Sequence, residues 1–511
     1  MSDYSLSTPG QEQIQIDSTI IDLQTIDTSL YSDKYKFWQE IDVSDADFRP
    51  VVIGDVNKNG RAEIYGYTKS FEMPQGQPIS IFELDTAGFF KKVYQYPDTM
   101  WFAQTIFDVE KNGNQELLMY GNASNGYVEG FAFRPPSSGK LPTAFAYWYS
   151  REFGHAQINH PMLGDFDKDG KTDVVYNSSP SVLSLFIDEF NPITNSFDSV
   201  YKWDVNKYID GHSTGDFDMD GKTDIVLGSS DGDVYVVEAQ GPGLYQKVWQ
   251  STVATHNAYL HFSTNDIDGN GKPEFWVGGD AYYNGVGITR FTCFETNGDN
   301  SYVPVARIDL VGVFSFFAGN CFAEDIDKDG KEELFICIDQ NVLILKFVGS
   351  PNHHKYEIFY FTRNELQDQN CVYSGATLFD AENQGKDDLF ITLAQVNNVG
   401  RKDFTYSYKP TFSTGVKTIS NSSPSEFRLY QNYPNPFNPT TTISFTLPSR
   451  TFVSLKIFDM LGKEVSTIVS AELQAGSYSQ QWHPERISSG IYFYKLQAGA
   501  YSNTKKLLLL K

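Results

Sequence analysis

The sequence predicts an all-β protein: a seven-bladed β-propeller closed by an N-terminal strand, followed by a small β-sandwich. Three observations predict it. An acidic nine-residue loop recurs seven times, with successive copies starting between 50 and 59 residues apart. Short apolar runs flank every copy, four strand-like segments to each repeat. Tyr (31) and Phe (39) are abundant, as suits pleated, half-buried surfaces. A period near fifty residues is that of propellers and solenoids, and four short strands per period favour the propeller.

In chain order, residues 1–30 read as a flexible lead-in. Residues 31–409 hold the repeats. They open with an isolated strand, YKFWQEIDV (35–43), which resembles the outer strands LYQKVWQ and AFAYWYS further along. The last repeat stops one strand short after FTYSYK (404–409). Pairing 35–43 with that repeat would close the ring and remove its exposed sheet edges. Residues 410–426, PTFSTGVKTISNSSPSE, form a Ser/Thr/Pro-rich linker. Residues 427–511 change pattern to short alternating strands, VSLKIFDMLGKEVSTIV, AGSYSQQWH and SGIYFYKLQAG, expected to build an Ig-like β-sandwich.

The loops carry the chemistry. Each begins with Asp, has Gly sixth and an acid ninth. Positions 1, 3, 5, 7 and 9 are Asp55, Asn57, Asn59, Arg61 and Glu63 in the first copy. The second has Asp108, Glu110, Asn112, Asn114 and Glu116. The third has Asp165, Asp167, Asp169, Lys171 and Asp173, and the fourth Asp216, Asp218, Asp220, Lys222 and Asp224. Then come Asp266, Asp268, Asn270, Lys272 and Glu274; Asp325, Asp327, Asp329, Lys331 and Glu333; and Asp380, Glu382, Gln384, Lys386 and Asp388. Oxygen side chains at 1, 3, 5 and 9, with a backbone carbonyl at 7, suit Ca²⁺ better than Zn²⁺ or copper. The copies at Asp165, Asp216, Asp266 and Asp325 have the better ligand sets. Those at Asp55, Asp108 and Asp380 are degenerate, and a plain acidic hairpin turn is the alternative for them. Up to seven structural Ca²⁺ ions are expected.

The net charge of −24 excludes a nucleic-acid partner, whose phosphates need a basic footprint. No run of 18 apolar residues occurs, so no helix is expected to span a membrane. Four cysteines, Cys293, Cys321, Cys337 and Cys371, are too few for a disulfide scaffold. A hairpin centred on the loop at Asp325 would set Cys321 opposite Cys337, either bonded or as two buried thiols.

Partner binding is expected at the other end of the blades. Ahead of the loops stand Trp101, Tyr259 and Tyr373, together with His155, His160, His212, His256 and His261. Aromatic platforms with imidazole donors suit a sugar ring, and a protein ligand is the other option. The alternative is that the aromatics fill the space between blades and the histidines cap strands. No nucleophile or metalloprotease motif occurs. A carboxylate pair for glycoside cleavage would have to draw on separate blades, for instance Glu152, Asp210 or Asp280.

The loops, with their small residues before and apolar strand after, resemble FG-GAP or VCBS repeats over residues 31–409. That resemblance implies structural calcium. NYPNPFNP, IFDMLGKEV, SGIYFYKL and the terminal Lys resemble the type A sorting domain of the type IX secretion system, over residues 427–511. This implies export to the cell surface or beyond, with the secretion machinery as a partner. Such cargo needs an N-terminal export signal, which the first residues do not show, and the expectation is that it has been trimmed. The functional expectation is a secreted or surface binding and adhesion module. The alternatives are a secreted polysaccharide-degrading enzyme, lyase or glycosidase, and a structural envelope component.

Overall fold

The computed structural model describes residues 16–43, 50–67, 78–97, 101–122, 127–152, 157–179, 183–315, 318–363, 371–397, 400–412, 417–420, 427–432, 435, 437, 441–460, 462–473, 475–482, 489–499 and 501–509. Seven sheets, each built on an antiparallel meander, precede the C-terminal segment, and the strands of sheets 1 to 4 and 6 follow one another in chain order. Sheet 1 comprises Val52–Gly54, Glu63–Tyr67, Ile79–Leu84 and Phe90–Gln95, and sheet 2 Trp101–Phe107, Glu116–Asn122, Tyr127–Arg134 and Ala144–Glu152. Sheet 3 comprises Gln157–Gly164, Asp173–Ser179, Ser184–Asn191 and Ser196–Asp204. Sheet 4 comprises Ile209–Gly215, Asp224–Ser229, Asp233–Gly241 and Leu244–Thr252. Sheet 5 comprises Leu260–Thr264, Glu274–Tyr283, Val286–Thr296 and Tyr302–Val311, and sheet 6 Ala318–Glu324, Glu333–Ile338, Asn341–Phe347 and Tyr356–Arg363. Sheet 7 is Cys371–Phe379, Asp388–Asn397 and Gly400–Pro410, with Tyr35–Ile41 as its fourth strand.

Burial explains why the strands read as they do. Second strands such as Asp224–Ser229 and Glu333–Ile338 are buried at every residue, which accounts for their unbroken apolar runs. Fourth strands such as Leu244–Thr252 are mostly exposed or half-buried, and their sequences mix Lys and Gln with aromatics. Bulges interrupt the pairing of the fourth strands, for example between Val236 and Val237, which discourages edge-to-edge association. Between successive sheets lie apolar clusters. The second residue of each acidic loop is buried in one of them: Val56, Val109, Phe166, Phe217, Ile267, Ile326 and Ala381. One such cluster joins Ala381 and Phe390 of sheet 7 to Ile64, Phe82 and Leu84 of sheet 1.

Three details depart from the sequence expectation. Residues 17–22, expected within a flexible lead-in, form the strand Asp17–Asp22, paired in parallel with Tyr302–Val311 as a fifth strand on sheet 5. Ile21 and the following Leu23 are buried in the neighbouring core, so this segment covers an otherwise free sheet edge. Lys417–Ser420, expected as linker, pairs with Gly476–Trp482. Cys321 pairs across the hairpin with Ile336, and Cys337 with Asn320. The register therefore slips one residue from symmetry about the loop, and alternation sends the two thiols to opposite faces, where both are free.

At the C-terminus, two four-stranded sheets share one core. One contains Thr441–Leu447 and Gly476–Trp482, the other Thr451–Phe458, Glu464–Leu473, Gly490–Ala498 and Tyr501–Leu509. Ile443, Phe445 and Trp482 from the first meet Leu455, Tyr494 and Leu509 from the second.

Candidate metal centre

Each acidic loop joins the first and second strands of its sheet. In six sheets its ninth residue pairs directly with the residue before position 1, as Gly215 does with Asp224. In sheet 5 Glu274 instead faces Thr264, two residues before Asp266, and the Thr264 hydroxyl donates to its carboxylate at 2.7 Å. The loops hold a common shape through their own backbone. The first carboxylate accepts from the N–H groups of positions 5 and 6: Asn59 at 3.0 Å and Gly60 at 2.8 Å for Asp55, Asp329 at 3.0 Å and Gly330 at 2.9 Å for Asp325. The third residue accepts from the fifth, as Asp167 does from Asp169 N–H at 3.1 Å, and the fifth from the seventh, as Asp220 does from Lys222 N–H at 2.8 Å. The ninth acid accepts from N–H of position 2, for example Asp224 from Phe217 at 2.9 Å.

Two positions take a left-handed backbone. Position 6 is Gly in every copy, with φ between +74° and +95°. Position 4 is also left-handed, at Lys58, Lys111, Lys168, Met219, Gly269, Lys328 and Asn383. Sequence reasoning found the first and missed the second. Gly269 and Asn383 were the available signal, since those residue types best tolerate positive φ. The turn aims the fourth side chain at the next sheet's loop. Lys111 Nζ lies 2.7 Å from Asp165, Lys328 Nζ 3.2 Å from Asp387, and Asn383 Nδ2 donates to the Gly60 carbonyl at 2.9 Å. Lys58 and Lys168 reach the carbonyls of Gly113 and Gly221 in the same way.

The ninth acid is buried in every copy. Glu63, Glu116, Glu274 and Glu333 have no exposed surface, and burial pushes these carboxyls up, Glu63, Glu274 and Glu333 to about 8 and Glu116 to about 7. Burial raises Asp173, Asp224 and Asp388 to about 7. One carboxylate oxygen each of Glu63, Glu116, Asp173 and Asp224 is buried without a hydrogen-bond partner, as is one of Asp216 and of Asp266. Such oxygens are costly unless a cation meets them. Asp165, Asp167 and Asp173 bring ligand atoms within 4.8 Å of one another, as do Asp266, Asp268 and Glu274. An all-oxygen set with orphaned acidic oxygens fits a divalent cation such as Ca²⁺, which would hold the buried acids ionised. Bound there, the ion would tie the two ends of the hairpin loop together.

Comparison with known proteins bears on these loops and on the C-terminal sheets. Residues 216–277 match the FG-GAP-like repeat, and residues 431–510 match the secretion system C-terminal sorting domain. The chain thus carries a stretch similar to an FG-GAP-like repeat and, C-terminal to it, one similar to a secretion sorting domain. The sorting domain marks it as a secreted or cell-surface protein. No curated protein matches the chain. Similar solved structures include the Dos1 propeller, at TM-score 0.42 and 10% identity over 73% of this chain and 95% of that one. Sqt1 of Saccharomyces cerevisiae aligns at 0.40 and 12%, covering 88% of this chain and 100% of that one. Sqt1 of Chaetomium thermophilum aligns at 0.43 and 11%, covering 81% and 95%. Among the described residues no helix is long and apolar enough to cross a membrane.

The residues expected to bind a ligand divide sharply. His155 lies outside the described residues, and of Trp101 and His160 only the strand backbone is described. Tyr373 is buried in the core between sheets 6 and 7, and His212 is buried on the first strand of sheet 4. His261 Nε2–H donates to the Ala258 carbonyl at 2.7 Å, and Tyr259 packs on Tyr208 with ring centroids 5.3 Å apart. Among those whose side chains are described, His256 alone has a largely open ring, with 55% of its side chain exposed. Its Nδ1 is 2.7 Å from Asp280, and its ring meets Tyr282 and Phe314 at 5.6 and 5.9 Å. Tyr282 (60% exposed) and Phe314 (44%) were missed from sequence. Tyr282 leads into the Asn284–Gly285 turn between the second and third strands of sheet 5, at the end away from the acidic loop. The Asn-Gly pair and the aromatics before it were the available signal.

Proposed function

We propose that this secreted or surface protein is a calcium-stabilised seven-bladed propeller, closed by Tyr35–Ile41, that binds a ligand on the face opposite its metal loops. The pairing of that strand with Gly400–Pro410, the core between sheets 7 and 1, and the Asn383–Gly60 bond support closure. The observation that carries the binding role is the exposed group of His256, Tyr282 and Phe314. Asp280 and Asn257 fix it from below, since Asp280 takes His256 Nδ1 at 2.7 Å and also bonds the Asn257 amide. Tyr282 and Phe314 lie 4.9 Å apart at an interplanar angle of 33°, an amphipathic platform beside an imidazole donor. That combination suits a sugar ring, which offers CH faces and hydroxyls together. The C-terminal domain engages the type IX secretion machinery.

The test is a glycan array probed with the full chain, with and without Ca²⁺, alongside Tyr282→Ala. The expected result is a defined set of glycans whose signal the variant loses while it melts at the wild-type temperature. Equal binding by wild type and variant would remove this site.

A further inference from the structure

The third strand of each sheet places one residue across from the ninth acid of the loop. The pairs are Glu63 with Glu83, Asp173 with Glu189, Asp224 with Glu238 and Glu333 with Lys346. In sheets 2, 5 and 7 the same register, one step past Leu117–Phe133, Phe275–Phe294 and Leu389–Tyr408, sets Glu116 by Arg134, Glu274 by Glu295 and Asp388 by Lys409. The position is therefore Glu in sheets 1, 3, 4 and 5, and a base in sheets 2, 6 and 7.

The two kinds behave differently toward the loop. Lys346 Nζ sits among the loop's own ligand atoms, 2.7 Å from Asp329 and 3.1 Å from Glu333, and it also contacts Asp327. Arg134 pairs with Glu110 at 2.7 and 3.3 Å, and Lys409 with Glu382. The glutamates instead add oxygen. Glu238 groups with Asp218, Asp220 and Asp299, and Glu189 with Asp167 and Asp169, each set within 4.8 Å. Glu83 and Glu295 take the Asn59 and Asn270 amides at 2.9 and 3.0 Å.

The bland reading is that each glutamate only pairs with the base at position 7, since Lys222 lies 3.1 Å from Glu238 and Lys171 2.7 Å from Glu189. Those lysines are 40% and 45% exposed and each also reaches one acid of its own loop, Asp220 at 2.7 Å and Asp169 at 2.8 Å, where Lys346, 27% exposed, meets three. Glu238, 1% exposed, keeps its second oxygen buried and without a partner. That oxygen is left for something inside the loop.

We infer that the residue across from the ninth acid sorts the seven loops: the four with glutamate bind a divalent cation, and the three with arginine or lysine carry a built-in cation in its place. This rests on the calcium reading above and redraws it. Ligand-set quality alone ranks the loop at Asp325 among the best and that at Asp55 among the degenerate. The cross-strand residue reverses both. Lys346, set against three of its loop's acids at once, cannot share them with a dication, because the like charges repel at contact distance.

The experiment counts metal on the full chain, stripped with chelator, reloaded with CaCl₂ and dialysed, by plasma mass spectrometry. About four ions per chain are expected, one for each glutamate sheet. Lys346→Gln should raise the count by one and make that variant's melting temperature more dependent on Ca²⁺. Glu238→Gln should lower it by one. Arg134→Gln is a second gain-of-site variant should Lys346→Gln not fold. Seven ions in the wild type, or a count unchanged in both folded gain-of-site variants, would overturn the sorting while leaving calcium in place. A wild type that binds none overturns the calcium reading itself and the sorting with it.

Discussion

The two ends of the sheets are built on different principles. At the acidic end, seven loops repeat one geometry: left-handed turns at positions 4 and 6, a first carboxylate capped by backbone N–H groups, and a ninth acid buried beneath. At the other end the sheets differ from one another. Sheet 5 runs on to the Tyr283–Val286 pair with His256 and Phe314 alongside, while sheet 4 presses its backbone against the start of sheet 5. Repetition marks what holds the sheets together, and variation marks where one sheet acquires a task of its own. On the proposed reading, that division makes the acidic end sensitive to ions and the other end sensitive to shape.

The largest effect should come from removing metal. At a free concentration a hundredfold above Kd, each ion adds about 2.7 kcal/mol, so a handful amounts to on the order of 10 kcal/mol, comparable with a domain's whole stability. Thermal melts in excess chelator should drop by tens of degrees and recover on adding Ca²⁺. An unchanged melting curve would break the comparison at its acidic end.

Next in size is a steric test at the opposite end. A Cβ on Gly228 would stand 1.5 Å from the Ala258 carbonyl oxygen, a backbone atom that cannot swing aside. Gly228→Ala should cost about 3 kcal/mol by denaturant unfolding. Gly221, in the loop at the acidic end, has nothing within 4 Å of a Cβ, and only its φ of +91° resists substitution. Gly221→Ala should cost about 1 kcal/mol. Equal costs would show that the two ends are not distinguished by backbone approach.

These contrasts also explain what the sequence could disclose. The loops were legible because their ligands lie within nine residues and recur, so each copy vouches for the next. The left-handed fourth position was nearly hidden, since lysine fills it four times and only Gly269 and Asn383 betray the conformation. The residue across from the ninth acid was invisible for a different reason. It lies from 13 residues downstream (Glu333 to Lys346) to 21 (Asp388 to Lys409), because the hairpin between the second and third strands changes length from sheet to sheet. Register, set by turn length, decides which charge faces the loop. Asp17–Asp22 was missed because its two apolar residues are adjacent and fall on opposite faces, Ile20 exposed and Ile21 buried, so the sequence shows no period-two stripe although the burial alternates.

A third effect, on the order of 2 kcal/mol, concerns pH. Burial lowers His261 from 6.5 to about 4, with the Ala258 carbonyl and Asp210 acting weakly against that. The unfolded chain takes up the proton first as pH falls, so this contribution is intact above 6.5 and is lost between 6.5 and about 4. The loop carboxylates also titrate on acidification, so the measurement is the difference between wild type and His261→Gln. The wild type should lose stability relative to the variant as pH falls from 6.5 to about 4, with a constant difference above 6.5. A difference that is flat with pH would mean that the ring is not held neutral by its surroundings.

The smallest expected stability change is the most informative about function. His256→Ala and Tyr282→Ala remove exposed rings from the end of sheet 5, and each should shift stability by no more than about 0.5 kcal/mol. Evolution has little structural reason to leave Tyr282 60% exposed beside Phe314, or to spend a buried carboxylate, Asp280, on orienting an open histidine. If these substitutions leave the melt unchanged while abolishing retention on the glycan identified by the array, the platform is a binding surface. If instead they lower the melting temperature as much as Gly228→Ala does, the rings are packing for sheet 5, and both ends of the sheets serve only to hold the molecule together.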